Sequence, residues 1–279
     1  MREDPLRLLR AQRRALLAGV AVRSAGPQLA PQLALARGDG LGVHAPRVAQ
    51  RGAPPPRLRC GNVPAALYDD AMVHVWPLAL HDGELTLRPL RRRDRAAFER
   101  LRERNAGWLR PWDASDPEDP RRVPDFHTLR RWNQQQARLG AALPLAITVH
   151  GRLAGQITAG PIQYGAVRSA VLGYWIDRDQ AGRGIVPRAA ALLIDHLFAE
   201  LGLHRVEVTV RPENTASLRV VEKLHLRAEG VRRSAIHVDG AWRDHLVFAL
   251  TAEEVATGED GTGVLRRLRR EFPRDTPAT

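Results

Sequence analysis

Between residues 84 and 250 the chain alternates between two hydrophobic periods, and each change of period marks an element of an αβ sheet fold. Residues 84–87 alternate as a strand leading into Arg88-Pro89. Asp94 stands at the N-cap of a predicted helix in which Phe98, Leu101, Asn105 and Trp108 recur at helical spacing. A second helix is predicted over 125–139, with Phe126, Leu129 and Trp132 on one side and Gly140 as its stop. Residues 143–150 and 153–162 read as strands about a Gly151-Arg152 turn, and 169–177 as a third. A long helix follows Gly182-Arg183-Gly184 and runs to Leu201; its stripe is Ala189, Leu192, Leu193, His196 and Leu197, with His196 expected as a satisfied core residue. Residues 204–210 form a strand and 214–224 a short helix; 231–238 and 242–250 pair across Asp239-Gly240, a strong hairpin signal. The order β-α-α-β-β-β-α-β-α-β-β predicts an α/β (α+β) domain: a mixed sheet of about seven strands with helices on both faces.

The flanks read differently. Residues 1–71 contain Pro54-Pro55-Pro56, scattered Gly and Ala and no sustained period, so they are expected not to bury enough apolar surface to order themselves. Within them, 5–22 is Arg-rich and then apolar, as in a signal or transit peptide, but lacks a small-residue cleavage site ahead of a secreted-type domain. Met1 and Met72 are the only methionines, and the regular pattern begins after Met72, which makes a translation start at Met72 one reading of the extension. The expected organisation is an extension over 1–71, a folded domain over 72–251, and a short helix near Glu253 with a frayed basic tail over 252–279.

Composition narrows the function classes. No window holds the roughly eighteen uninterrupted apolar residues of a membrane helix. Cys60 is the only cysteine, which precludes an internal disulfide, suits a reducing cytoplasm and leaves no cysteine-based metal pattern. The formal charge is +12, half of it from residues 1–71, and Lys223 is the only lysine. This arginine excess is either a coding bias or a surface for an anionic partner such as RNA.

The chemistry is concentrated in Gly173-Tyr174-Trp175-Ile176-Asp177 and the following Ala181-Gly182-Arg183-Gly184-Ile185-Val186. A strand runs into two glycines and directly into a helix. Glycines let backbone approach a phosphate, and free amides at a helix N-terminus point at it with a favourable dipole. Downstream, Asn214-Thr215-Ala216-Ser217 opens the next predicted helix, which ends at Lys223-Leu224-His225-Leu226.

Together the two segments resemble the acetyl-CoA pyrophosphate loop, Gln/Arg-Gly-x-Gly-x-Gly/Ala, and the Asn-x-x-Ser-x-x-x-x-x-Lys-x-Gly-Phe segment of the GNAT acyltransferase superfamily. This chain departs from them at Ala181, Val186 and His225-Leu226. Leu87-Arg88-Pro89-Leu90 and the stretch from Asn105 to Trp112 resemble the RimJ/RimL-type branch, which acetylates protein N-terminal amines, classically on ribosomal proteins. The resemblance implies a mostly antiparallel GNAT sheet in a cytoplasmic enzyme. Acetyl-CoA is its co-substrate, no metal is used, and the acceptor amine attacks the thioester directly.

It also implies site residues. Ala181, Gly182, Arg183, Gly184 and Ile185 surround the pyrophosphate, with Lys223 a further cofactor contact. Trp175, Ile176 and Asp177 lie along the pantetheine arm, Asn214 faces that arm, and Ser217 protonates the leaving thiolate. Trp108 and Trp112 lie beside the acceptor groove, although both also suit a packing role. Some branch members carry a Glu base where this chain has Ile236; Glu207, Asp244 and His245 remain as candidates for a water relay. An α-amine, with a pKa of about 7.7–8.0 against about 10.4 for lysine, needs the least help to lose its proton. The acceptors left open are a protein N-terminus and a small amine, such as an antibiotic, a polyamine or an amino acid. A non-catalytic binding module of the same fold, contacting RNA or protein, is the third reading.

Overall fold

A computed structural model describes residues 76–119, 124–256 and 263–272; the expectations for 1–71, including Cys60 and the start at Met72, lie outside them. Alternating strands and amphipathic helices place eight strands in one sheet: β1 (Leu80–Asp82), β2 (Leu85–Arg88), β3 (Leu143–Val149), β4 (Arg152–Gln163), β5 (Ser169–Ile176), β6 (Arg205–Val210), β7 (Arg227–Val238) and β8 (Ala241–Thr251). Their spatial order is β1-β2-β3-β4-β5-β6-β8-β7. Every neighbouring pair is antiparallel except β5 and β6, which run parallel. The strand beyond the seven expected is β1, a three-residue segment folded back on β2 through the Gly83-Glu84 turn and too short to show a period of its own.

The helices are α1 (Arg95–Arg104), α2 (Ala106–Leu109), α3 (Phe126–Arg138), α4 (Ile185–Ala199), α5 (Thr215–Lys223), α6 (Ala252–Ala256) and α7 (Val264–Glu271). On one face of the sheet Leu193, Ile194 and Leu197 of α4 are buried with Leu85, Leu145, Ile147 and Ile157 of the strands. Each such side chain contributes about 1.5–3 kcal/mol. On the other face a smaller cluster joins Phe98 of α1 and Phe126 of α3 to Leu90 and Ala146.

Several local expectations are corrected. Asp94 stands at the N-cap of α1, but its side chain makes no capping hydrogen bond to that helix. It is buried and binds Arg88 through both carboxylate oxygens, at 2.6 and 2.9 Å, while accepting the Arg91 N–H at 2.7 Å. Burial raises its pKa, but Arg88 and the Arg91 amide together outweigh this and hold the carboxyl below its ordinary value. In α3 the buried positions are Phe126, Asn133 and Ala137, whereas Trp132 is exposed; Asp125 caps this helix, its side chain accepting the His127 and Thr128 amides. His196 is not satisfied: its buried Nε2 has no partner among the described residues, and burial lowers its pKa, which keeps the ring neutral. The expected frayed tail is, over Val264–Glu271, the helix α7, with Val264 and Leu268 in the core. Asp195 of α4 supplies the cap that Gly263 lacks, accepting the Val264 and Leu265 amides at 2.6 and 3.0 Å.

The helix expected to run through Asn105 to Trp108 breaks at Asn105 into α1 and α2. Asn105 is buried and fully used: its Nδ2 donates to the Leu101 carbonyl and to Asp177 Oδ1, both at 2.9 Å, and its Oδ1 accepts the Arg178 N–H at 2.9 Å. One amide thus ties the end of α1 to the end of β5.

Asp94→Ala should lower unfolding stability in urea by about 3–5 kcal/mol, because it strands a buried guanidinium. The double change Arg88→Met with Asp94→Leu should recover most of that loss. Asn105→Ala should cost about 1–3 kcal/mol by leaving Asp177 and the Arg178 amide underbonded. Asn105→Asp should cost more, since it sets two carboxylates side by side; equal or smaller loss would refute the clamp.

Candidate active site

The site begins where two strands part. β5 and β6 are paired from Ser169↔Arg205 only as far as Leu172↔Val208. Beyond that, β5 continues along β4 to Gly155↔Ile176, and β6 continues along β8 to Val210↔Leu246. Each strand follows its other neighbour, so a V-shaped cleft of about 330 Å³ opens between them. Backbone edges of Gly173, Tyr174 and Trp175 form one wall and those of Thr209 and Val210 the other.

β5 turns its side chains to opposite faces of the sheet. Tyr174 packs with the α4 core, and Trp175 packs with the second cluster, edge-on to Phe98 at 5.9 Å. The cleft is therefore lined from both faces. On the α4 and α5 side stand Tyr174, Asn214 and Ser217; on the other stand Trp112, Gln156, Thr158 and His245. Asn214 caps α5, its Oδ1 accepting the Ser217 N–H at 3.0 Å, which leaves its Nδ2 hydrogens to donate elsewhere. The hydroxyl of Tyr174 is buried with no hydrogen-bond partner among the described residues. Burial pushes its pKa up to about 12, with the nearby Ser217 hydroxyl acting in the opposite direction.

After β5 a 3-10 turn over Arg178–Gln180 leads to Ala181 and the two glycines. Gly182 and Gly184 have φ of +79° and +72°, conformations that L side chains rarely adopt, and the space where a Cβ would stand is open at both. Gly184 is the N-cap of α4 and offers no side-chain acceptor, so the Ile185 and Val186 amides at the helix start lack intrahelical partners. Pro187 fits this first turn, where its missing N–H would be unpaired in any case. Ile185 and Val186 are buried, which explains how a β-branched residue is accommodated where the family pattern has Gly or Ala. The exposed Arg183 adds charge beside the amides. This turn and the open cleft fit a nucleotide thioester: amides and arginine for a diphosphate, and unpaired strand edges for an extended amide-containing arm.

Three of the expected site residues do not line the cleft. Asp177 turns no group to the cleft: its N–H donates to the Ala154 carbonyl at 2.8 Å, its carbonyl accepts from Gln180, and its carboxylate binds Asn105 and Arg104. Trp108 lies outside the cleft, its ring 6.0 Å from the Arg178 guanidinium. Lys223 is at the far end of α5, its ammonium 4.6 Å from the centre of the Phe272 ring. Trp112 does line the cleft, beneath the Arg211 guanidinium at 5.5 Å, and that guanidinium also donates to the Pro111 carbonyl at 2.6 Å. Ile236, which stands where some branch members carry a Glu base, lies on β7 outside the cleft. Of the candidate bases, Glu207 binds Arg205 and Arg232, Asp244 binds Arg233 and the Ser234 N–H, and only His245 lines the cleft. Sequence reasoning missed Asn105 and Tyr174; the alternation of β5 was the available signal for Tyr174.

At the end of α5, His225 holds φ at +55° where the family pattern has Gly. The His225 and Leu226 amides close the helix on the Glu222 and Val221 carbonyls, each at 3.0 Å, so the left-handed turn survives without the glycine.

The sequence profile of the acetyltransferase (GNAT) domain matches residues 84–227. The chain is 38% identical to the solved structure of Mycobacterium smegmatis RimJ in complex with CoA-disulfide, over 70% of this chain and 95% of that one, with a TM-score of 0.64. It is 40% identical over 99 residues to the probable N-acetyltransferase YjcK of Bacillus subtilis (strain 168), which is 36% of this chain and 55% of that protein. It is 29% identical over 94 residues to the [ribosomal protein uS5]-alanine N-acetyltransferase of Escherichia coli (strain K12), which is 34% of this chain and 48% of that protein. The chain thus spans about half the length of these curated relatives. With the profile covering β5, the glycine turn, β6 and α5, the chain belongs to the GNAT acetyltransferase family.

Proposed function

We propose that this chain transfers the acetyl group of acetyl-CoA to a primary amine, specifically the α-amine of a protein N-terminus, by direct attack. The observation that carries the reading is the parting of β5 from β6 beside a helix start with unpaired amides. The bound thioester supplies the activated acetyl group; the remaining tasks fall to the chain. The Ile185 and Val186 amides and Arg183 hold the diphosphate. The free edge of β5 from Gly173 to Ile176 pairs with the pantetheine arm, and an amide there polarises the carbonyl. Asn214 steadies the arm through its Nδ2. Ser217 gives a proton to the departing sulfur, with the Tyr174 hydroxyl, protonated across the physiological range, behind it.

The acceptor enters from the opposite face, past Trp112, Gln156 and Thr158. Among the described residues, Asp113 is the one carboxylate lining the cleft, and it binds Arg102 at 2.5 Å, so none of them there is free to act as a strong base. A lysine acceptor would need about 3.5 kcal/mol more than an α-amine to reach its neutral form. Both the E. coli relative's alanine acceptor and the basic balance of this chain support a protein N-terminus, with a ribosomal protein in the cytoplasm as the favoured partner.

Acetyl-CoA at a hundred times its Kd should stabilise the chain by about 2.7 kcal/mol, seen as a rise in Tm. Gly184→Val should remove that rise, and should also lower the ligand-free Tm because its φ of +72° strains a β-branched residue, so the readout is the difference between Tm with and without acetyl-CoA. No rise at millimolar acetyl-CoA would end the catalytic reading. On peptide arrays, acetyl transfer should require a free N-terminus and ignore internal lysines; transfer to polyamines alone would instead establish a small-amine enzyme. Ser217→Ala should lower kcat about a hundredfold with cofactor affinity unchanged.

A further inference from the structure

The reaction proposed above leaves the proton of the attacking amine unassigned, and Ile236 on β7 has no group to take it. We infer that Nε2 of His245 accepts that proton, directly or through one water, which makes His245 a catalytic residue; the inference rests on the acetyl-transfer reading of the cleft.

The placement follows from register. Val210↔Leu246 is the last pair of β6 and β8, so His245 is the first β8 residue past the end of that ladder. Leu246 belongs to the α4-side core, so its neighbour His245 faces the other way, to the acceptor side with Trp112, Gln156 and Thr158. His245 is only 5% exposed, yet lines the cleft. Its Nδ1 lies 3.1 Å from the Arg243 carbonyl oxygen. A carbonyl can only accept, so Nδ1 carries the hydrogen and Nε2 keeps its lone pair.

The surrounding charges favour the neutral ring. Burial lowers the His245 pKa first. The Arg243 carbonyl raises it, Arg211 lowers it, and Glu213 and Asp244 raise it, the net shift being downward. Arg232 pairs with it across β7, and Asp113 lines the cleft but is bound to Arg102. Asp244 is itself held below its ordinary pKa, chiefly by the Ser234 N–H and further by Arg233, so it is committed as an anion and does not compete for the proton.

In the step, the amine nitrogen bonds to the acetyl carbon, and its proton passes to Nε2. The carbon–sulfur bond breaks, and the sulfur takes the Ser217 hydroxyl proton. Solvent then removes the proton from His245 and restores that of Ser217. The net transfer is one proton from nitrogen to sulfur.

The test compares wild-type with His245→Gln on a peptide with a free N-terminus. Expected is a loss of about 10²–10³-fold in kcat/KM at pH 7, with the acetyl-CoA-dependent rise in Tm retained. Below the pKa values of both the amine and His245, log kcat/KM of wild-type should fall with a slope of about two per pH unit, one proton for each group. In His245→Gln the slope should be about one, from the amine alone, and imidazole should restore part of the rate to His245→Ala. In the resting protein, NMR titration should give His245 a pKa below about 6.5 and the Nδ1–H tautomer. A variant with wild-type rate and slope overturns the role of His245 while leaving acetyl transfer intact. Wild-type protein that binds acetyl-CoA but acetylates no amine overturns both. If the variants fail to fold, a wild-type slope of one or an Nε2–H tautomer overturns the role by itself.

Discussion

Four residue pairs of parallel hydrogen bonding join β5 to β6, and the rest of the site depends on their ending at Leu172 and Val208. If the ladder continued, the strand edges would satisfy each other and the cleft would close. It ends because both strands have second partners that diverge. β4 carries β5 onward to Ile176, where Asp177 is locked to α1, and β8 carries β6 onward to Val210. The parting exposes peptide groups that a sheet would otherwise consume, and it joins the α5 face, with Ser217, to the acceptor face, with His245.

Buried carboxylates hold this geometry at three places, each partnered by arginine. Asp94 and Arg88 fix the start of α1 to β2. Asp177, with Asn105 and Arg104, fixes the end of α1 to the end of β5. Asp82, fully buried, binds Arg188 of α4 at 2.6 Å and Arg269 of α7, and Glu84 binds Arg188 at 2.7 Å. Buried ion pairs contribute little net stability against apolar replacements of similar shape, because desolvation offsets their attraction. Their consequence here is positional: they set where the glycine turn and α4 stand relative to the parting strands.

These ties explain which site residues were legible. The Gly182 and Gly184 turn was visible because it is local: glycines, a missing side-chain cap and a helix start are neighbours in the chain. Asn214 and Ser217 were visible for the same reason, as a cap and a first-turn hydroxyl. The commitment of the Asp177 carboxylate was not legible, because its partner Asn105 lies 72 residues earlier and nothing in its own neighbourhood shows that it is occupied. Trp108 and Trp112 look alike in sequence. The break at Asn105 and the contact of Arg211 with Trp112 send only the second to the cleft.

The sequence by itself determined most of the elements, their alternation of buried and exposed faces, and the helix start able to grip an anion, because these follow from φ/ψ preference and hydrophobic period over a few residues. Tertiary structure alone decided that β5 and β6 part, which polar groups are consumed by distant partners, and that His245 rather than Glu207 or Asp244 reaches the cleft. Such outcomes turn on hydrogen bonds and ion pairs between segments far apart in the chain, and those exist only once the sheet has brought the segments together.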